Sequence, residues 1–255
     1  MFIMFYVLII NKLKLYNILM KDITTSFAAQ STQSTQSTKS TQSTQSTKST
    51  QSTQSMPSSS LSGYLEIILG PMWSGKTSAL LKIYRQYSFC KSRICVINYE
   101  ADTRYSKTML STHDKEMIPC ILGVSMEEIM KTHKDEIENS DVILINEGQF
   151  FSDIVPFTIK MVEEEKKKVY ICGLDGDFKR DKIGNLLDLI PVCDVMTKLH
   201  ALCSHCKDGT LAPFTFRSTS DTEQVLIGND IYMPLCRSCY NVQTKRKMEE
   251  EEVGK

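Results

Sequence analysis

The chain has 255 residues, of which 41% are hydrophobic and 24% are charged, a composition typical of globular proteins. Its 30 basic residues balance its 30 acidic residues, so the net charge indicates neither a nucleic acid nor a membrane as partner. The nine cysteines are an odd number in a chain that lacks a convincing secretory signal, so we expect a reducing, cytoplasmic location.

Residues 1–62 are predicted to form an extension outside the folded domain. The apolar run Phe2–Ile10 is shorter than the roughly 20 residues of a membrane-spanning helix and lacks the basic flank of a signal peptide. An anchoring or targeting role and a frayed extension are both open. From Ser31 to Ser55 the chain repeats Ser-Thr-Gln, interrupted by Lys39 and Lys48, and has no apolar residue to offset the entropy of ordering. We predict disorder there, with a phosphorylated or interacting tail as the alternative.

The folded part is predicted to begin near Gly63 with a strand, a glycine-rich loop and a helix. Tyr64–Leu69 is an apolar run of strand length, and Lys76–Gln86 has helical spacing. Later apolar runs alternate with helical patterns, which is typical of a parallel sheet covered by helices. The runs lie at Ile94–Ile97, Val142–Ile145 and Val169–Cys172, and the helical patterns at Met126–Glu138 and Ile154–Glu165. The predicted fold class is α/β, with a doubly wound parallel sheet.

The loop between the first strand and the first helix fits the phosphate-binding pattern GxxxxGK[ST]. Its glycines let backbone N–H groups turn toward phosphate oxygens at the positive end of a helix. Lys76 would reach the outer phosphates and the Thr77 hydroxyl would ligate Mg²⁺. A glycine turn that matches by chance is the alternative, which the strand-loop-helix context disfavours. The eight residues are Gly70, Pro71, Met72, Trp73, Ser74, Gly75, Lys76 and Thr77.

A second polar group follows the apolar run Val142–Ile145, at the carboxyl edge where open α/β sheets bind ligands. Asn146 and Glu147 stand there. Glu147 is a candidate general base that would accept the proton of an attacking hydroxyl while the phosphate loop and Mg²⁺ neutralise the transferring group. A glutamate at a strand end can equally cap a helix, so spacing alone leaves both roles open.

Four cysteines form two CxxC pairs, Cys203 with Cys206 and Cys236 with Cys239, separated by 29 residues. This pattern predicts a tetrahedral structural zinc site, and two disulfides are the alternative, which a reducing compartment disfavours. His205 could replace a thiolate but is interpreted as a bystander. The other five cysteines are interpreted as small core residues: Cys90, Cys95, Cys120, Cys172 and Cys193.

With these residues assembled, the chain from Gly63 to Val242 resembles the type II thymidine kinases, the cytosolic and viral family. The resemblance implies transfer of a phosphoryl group from ATP to the 5′-hydroxyl of thymidine, with deoxyuridine as the next acceptor, for DNA precursor salvage. It also implies Mg²⁺, structural zinc, a homotetramer and inhibition by thymidine triphosphate. Besides the phosphate loop and the paired cysteines, the shared motifs are Asp102–Ser106, Thr112–Asp114, Glu147–Phe151 and Leu174–Phe178.

The resemblance also implies individual roles. Glu147 would deprotonate the nucleoside, Arg104 would steady the phosphates, and Asp102 would assist Mg²⁺ or its waters. Asn146 and Gln149 are expected at the ATP site. An apolar pocket for the base would be lined by Met72, Phe150, Leu174 and Phe178. A lasso loop closing over the base would contain Thr215, Arg217, Gln224, Leu226, Ile227, Gly228 and Tyr232.

Two departures from the family pattern affect these expectations. Asn146 stands where the family usually has aspartate, which removes a charge near Mg²⁺. Gln224 stands where the family usually has an apolar residue, and the loop is one residue shorter near Asn229. Phe150 and Phe178 have ordinary core packing as their alternative interpretation.

The predicted parts of the chain are the extension at 1–62, a phosphate-loop α/β core at 63–199, a small zinc-ribbon-like lobe carrying the lasso at 200–242, and a charged flexible tail at 243–255. The alternative function is a P-loop ATPase or switch with a nucleic-acid-binding zinc ribbon. Balanced charge and few basic clusters disfavour that alternative.

Overall fold

The structure is a computed structural model that describes residues 62–100, 109–111, 117–226 and 231–253. The predicted extension lies outside the described residues, apart from its last position. Among the described residues, no helix combines the length and the apolar content needed to cross a bilayer.

The described part of the chain contains twelve strands and five α-helices. In order they are β1 (Tyr64–Leu69), α1 (Lys76–Phe89), β2 (Ile94–Tyr99), β3 (Met109–Ser111), β4 (Met117–Pro119), β5 (Ile121–Gly123), α2 (Met126–Thr132), α3 (Lys134–Glu138), β6 (Val142–Ile145), α4 (Ile154–Ile159), β7 (Lys168–Gly173), β8 (Val195–Lys198), β9 (Ala201–Leu202), β10 (Leu211–Ala212), β11 (Phe214–Arg217), β12 (Tyr232–Leu235) and α5 (Arg237–Val253). Short 3₁₀-helices occupy Gly148–Phe150 and Leu186–Val192, and a π-helical turn occupies Lys160–Glu164.

Six strands form the central sheet in the order β5-β2-β6-β7-β1-β8, and every neighbouring pair is parallel. Residues of β1 face both sides, because Ile67 packs into one hydrophobic cluster with α2, α3 and α4, and Ile68 packs into another with α1. The sheet therefore has an apolar layer on each face. Each fully buried aliphatic side chain in these layers contributes about 1.5–3 kcal/mol to stability. The predicted parallel α/β core is confirmed.

The predicted elements agree with the structure except at their ends and breaks. The first helix runs three residues beyond the predicted Gln86, to Phe89. The predicted helix Met126–Glu138 is two helices, because His133 leaves the helical conformation with ψ at 33°. The predicted helix Ile154–Glu165 changes to a π-helical turn at Lys160.

A smaller region follows the sheet. The pairs β9–β10 and β11–β12 are antiparallel, and α5 packs against them over a cluster that includes Phe216, Leu235 and Tyr240 together with the paired cysteines. The chain from residue 243, predicted as a flexible tail, is helical up to Val253. The interpretation of Cys90 as a core residue is wrong, because it caps the C-terminus of α1 at the exposed surface.

Candidate functional site

The glycine-rich loop runs from the carboxyl end of β1 to the start of α1. A Cβ atom on Gly70 would lie 2.7 Å from the carbonyl oxygen of Leu199, so only glycine fits there. Gly75 precedes the helix with φ at 81°, a conformation that side-chain-bearing residues rarely adopt. The first N–H groups of α1 have no helical partner, which makes this junction suited to an anion.

The Lys76 side chain folds back over this loop. It is 8% exposed, and its Nζ atom donates a hydrogen bond of 2.7 Å to the carbonyl of Pro71. The outer side of the loop carries Trp73, which is 45% exposed at a positive φ of 67°. The lysine is therefore held where the sequence predicts that phosphates bind.

Asn146 joins the phosphate loop to the neighbouring strand ends. It is 1% exposed, and its Oδ1 atom accepts from the Thr77 hydroxyl at 3.4 Å and from the Cys172 thiol at 3.0 Å. Its Nδ2 atom donates to Asn98 Oδ1 at 2.8 Å. This network joins the first turn of α1, at Thr77, to the carboxyl ends of β2, β6 and β7.

Glu147 stands in an unusual backbone conformation, with φ at 54° and ψ at 41°. Strained dihedrals of this kind concentrate at functional sites. Its side chain makes no capping hydrogen bond to the 3₁₀ turn that follows. Instead, its Oε2 atom accepts from Gln149 Nε2 at 2.6 Å. The helix-cap interpretation is therefore not supported by the geometry.

Gln149 is buried and hydrogen-bonded at both ends of its amide, and its expected role at the ATP site stays a prediction. It is 2% exposed, with its Nε2 atom on Glu147 and its Oε1 atom accepting from the backbone N–H of Leu174 at 3.0 Å. The amide thus fixes the Glu147 carboxylate to the end of β7. A buried glutamine that orients a carboxylate is a positioning residue.

The residues predicted to line an apolar pocket are half-buried rather than fully buried. Phe150 stacks on Tyr99 with ring centroids 5.1 Å apart, whereas its neighbour Phe151 is fully buried in the core. Phe178 lies under the Arg217 guanidinium at 3.5 Å from the ring centroid. Partial exposure is the state expected of a pocket wall, and these aromatic rings meet that condition.

Strand β11 is bonded to the phosphate loop and to residues 218–226, the described residues that follow it in the β11–β12 connection. The Thr215 hydroxyl accepts from the backbone N–H of Met72 at 3.0 Å, which couples β11 to the loop. The Arg217 guanidinium donates to the carbonyls of Asp221 and Glu223, the latter at 2.6 Å. Tyr232 and Leu226 are also bonded, through the tyrosine hydroxyl and the leucine backbone.

Some predicted site residues cannot be placed. Asp102, Arg104, Ile227 and Gly228 lie outside the described residues.

The four paired cysteines come together in the smaller region. Their sulfur atoms all lie within 4.8 Å of one another, and Cys206 Sγ is 3.9 Å from Cys236 Sγ and 3.5 Å from Cys239 Sγ. A tetrahedron with Zn–S bonds of about 2.3 Å has edges of about 3.8 Å. The thiols therefore fit zinc, and all four are free cysteines in the structure, with no disulfide among them. His205 is exposed and lies outside this cluster.

The environment of Cys203 favours a thiolate. Burial opposes its ionisation, but backbone N–H donors outweigh burial and lower the pKa of its thiol to about 6. The N–H of Cys236 is one of these donors, at 3.3 Å from Cys203 Sγ. Because a metal binds the thiolate form of cysteine, a lowered pKa of this thiol favours metal binding.

Sequence reasoning assigned no individual role to three polar residues around the site, two of which, Asp175 and Asp177, lie within the shared motif Leu174–Phe178. Asn98 closes the β2 end and holds Asn146, and Asp175 pairs with Lys198 at 2.5 Å. Asp177, 7% exposed, binds backbone and side-chain donors of neighbouring loops. Asn98 carried a usable signal, because it lies near the carboxyl end of a predicted parallel strand, where ligand sites form.

Comparisons with known proteins agree with this arrangement. A family model described as Thymidine kinase matches residues 63–240. The thymidine kinase of Oryza sativa subsp. japonica is 40% identical over 184 residues, which cover 71% of this chain and 67% of that protein. Thymidine kinase a of Arabidopsis thaliana is 40% identical over 181 residues, 70% of this chain and 75% of that one. The thymidine kinase of Vaccinia virus (strain Ankara) is 37% identical over 179 residues, 70% of this chain and 97% of that one.

A solved structure, domain III of the Thermotoga maritima replication initiation protein DnaA, aligns with a TM-score of 0.32. It shares 17% identity over 55% of this chain and 56% of that chain, which is too little to carry an argument. The family match spans the phosphate loop, the Asn146–Glu147 strand end and all four zinc-ligand candidates. The chain therefore belongs to the thymidine kinase family.

Proposed function

We propose that the protein transfers the γ-phosphoryl group of ATP to the 5′-hydroxyl of thymidine. The observation that carries this proposal is the 3.4 Å contact between Thr77 and Asn146. It brings the phosphate loop beside the strand end that carries Glu147, so an acceptor hydroxyl and a terminal phosphate can meet between them. Membership of the thymidine kinase family supports thymidine as the acceptor.

In this mechanism the chain's own groups position the reactants and move one proton. Lys76 and the N–H groups of the loop bind the ATP phosphates. Glu147, held by Gln149 at 2.6 Å, accepts the proton of the 5′-hydroxyl as the oxygen attacks. The pocket walls around Phe150 and Phe178 exclude water from the acceptor. The product is thymidine 5′-monophosphate, with ADP as the leaving group.

Mg²⁺ fits the oxygen donors at the end of the phosphate loop. Thr77 would hold it directly, and Asn146, whose Oδ1 atom faces Thr77, would accept from a metal-bound water. When bound, Mg²⁺ neutralises charge on the transferring phosphoryl group. The family resemblance adds Asp102 as an assisting residue.

The preference among nucleosides tests this proposal. We expect thymidine to give the highest kcat/KM, followed by deoxyuridine, because an apolar slot favours the thymine methyl group. Steady-state assays with each deoxynucleoside at fixed ATP measure the ranking. A protein that phosphorylates deoxycytidine or a purine nucleoside better than thymidine would overturn the assignment of substrate.

We also propose a cytoplasmic homotetramer inhibited by thymidine triphosphate, as the family resemblance implies. Exposed apolar residues on the edge strand β8 are compatible with association between copies, since Val195 is 40% and Met196 is 47% exposed.

Deletion of residues 1–60 is expected to leave the fold and kinase activity largely intact. The Ser-Thr-Gln tract has no apolar surface with which to join a core. Thermal unfolding and nucleoside phosphorylation by the truncated protein check this. A truncated protein that does not fold, or that loses phosphorylation, would make the tract an integral element.

Replacement of Asn146 by aspartate is expected to lower the Mg²⁺ concentration at half-maximal rate severalfold. Hard cations prefer carboxylates, and the Thr77 hydroxyl can still donate to the new side chain. The Asn98 side-chain amide must rotate by about 180°, because its Oδ1 atom accepts from Asn146 Nδ2, whereas an aspartate at position 146 needs a donor. Titration of Mg²⁺ against initial rate measures the shift.

Two controls sharpen this test. Asn98→Asp adds the same charge to the network at a residue that is not bonded to Thr77. Repeating the titration at several pH values separates a second effect, in which like-charge repulsion between the added carboxylate and Glu147 moves the pH–rate profile upward. If Asn146→Asp changes neither curve, residue 146 has no role in metal binding.

A further inference from the structure

Gln224, which follows β11, is hydrogen-bonded to the Asp177–Lys182 turn, and Asp177 is 47 residues away in sequence. Its Nε2 atom lies 3.0 Å from Asp177 Oδ2 and 3.1 Å from the carbonyl oxygen of Lys182. Both partners are acceptors only, so the amide must present its NH₂ group to them. The side chain therefore acts as a double donor, a role that an apolar residue at this position could not perform.

Asp177 is a fixed partner for this contact. It is 7% exposed, and its Oδ1 atom accepts from the backbone N–H groups of Lys179 and Asp181, each at 2.8 Å. The Asp177 N–H also donates to the Asp181 carbonyl at 2.9 Å. The Oδ1 atom of Asp177 therefore stabilises the turn that contains it, and the Oδ2 atom accepts from Gln224.

The two segments joined in this way both adjoin the proposed nucleoside pocket. Phe178 follows Asp177 directly, and the fully buried Arg217 lies over its ring while donating to carbonyls at Asp221 and Glu223. Arg217 thus fixes the connection from the inside. Gln224, whose side chain is exposed at the surface, fixes the same connection from the outside.

We propose that these two hydrogen bonds, which we call the Gln224 clasp, hold residues 218–226 on the Asp177–Lys182 turn and so set the affinity of the adjoining pocket for the nucleoside. The inference rests on the proposed function for its effect on substrate, while the clasp itself rests on geometry alone. A hydrogen bond to a carboxylate is stronger than one between neutral groups, although exposure to water reduces its contribution. Gln224 is a positioning residue in this account, because it acts through the loop.

Gln224→Glu tests the clasp with an almost isosteric change that replaces two donors by a carboxylate facing Asp177 and the Lys182 carbonyl. We expect amide hydrogen exchange in peptides covering residues 218–226 to accelerate by about 5- to 30-fold, the range produced by losing one or two such interactions. We expect KM for thymidine to rise by a similar factor, with a smaller effect on kcat. Asp177→Asn should act in the same direction, because it retains Oδ1 for its turn but presents an N–H group to Gln224.

Thr222→Glu is the matched control, since it adds the same charge at an exposed position of the same connection. Unchanged exchange in Gln224→Glu, or equal acceleration in Thr222→Glu, overturns the clasp. Faster exchange with an unaltered KM overturns its role in nucleoside binding. If the unmodified protein phosphorylates no nucleoside, the proposed function fails, and the exchange comparison still decides whether the clasp exists.

Discussion

Replacement of Glu147 by glutamine is expected to lower kcat for nucleoside phosphorylation by about 10²- to 10⁴-fold, the usual contribution of a general base. The new amide is isosteric and can present its oxygen to the Gln149 NH₂ group, which now binds Glu147 Oε2. The fold and ATP affinity should therefore change little. Steady-state kinetics, with ATP binding measured separately, test the prediction.

Lys76→Ala gives an informative contrast. That change removes a side chain held inside the phosphate loop, so we expect weaker ATP binding together with a lower rate. A Glu147→Gln enzyme that keeps nearly full turnover would place the base elsewhere, with Asp102 as the first residue to test.

Replacement of Cys236 by serine is expected to cause the largest loss of stability. We propose that the protein binds one structural zinc per chain through Cys203, Cys206, Cys236 and Cys239, whose sulfur atoms lie within 4.8 Å of one another. Structural zinc binds zinc-finger peptides with about 10–16 kcal/mol. If only about 5 kcal/mol of this were lost, the melting temperature would fall by about 10–20 °C. Metal analysis measures the zinc bound per chain, and thermal unfolding measures the melting temperature.

Cys90→Ser is the matched control, because Cys90 is exposed and lies outside the four-cysteine cluster. It should leave both zinc content and melting temperature unaltered. The zinc assignment is contradicted by a purified protein without zinc, or by a Cys236→Ser variant with unchanged stability and activity.

Features set by neighbouring residues could be predicted from the sequence. The run Tyr64–Leu69, the glycine loop and the helix from Lys76 form one continuous signal, and the structure confirms all three. The four-cysteine cluster could also be predicted, because CxxC spacing by itself brings two thiols of a pair together. Periodicity was weaker at His133, where a polar residue interrupts the helix without disturbing the apolar pattern.

Contacts between distant residues could not be predicted in the same way. The resemblance places Gln149 at the ATP site, but it gives no sign that the Gln149 amide bonds both Glu147 and the backbone of Leu174, which follows another strand. Gln224 was recognised as a departure from the family pattern, but its role depends on Asp177, which only the fold brings near. Polar pairing of this kind follows from tertiary structure, and hydrophobic periodicity carries no information about it.

The central claim is that this site transfers a phosphoryl group from ATP to thymidine. The most direct test is to incubate the purified protein with Mg²⁺, thymidine and ATP labelled at the γ-phosphate, and to follow both the label and the ADP. We predict that the label appears in thymidine 5′-monophosphate in equal amount to the ADP formed, and that ADP formation stops without the nucleoside. Label released as inorganic phosphate, with ADP formed at the same rate whether or not thymidine is present, would contradict the claim and identify an ATPase or switch instead.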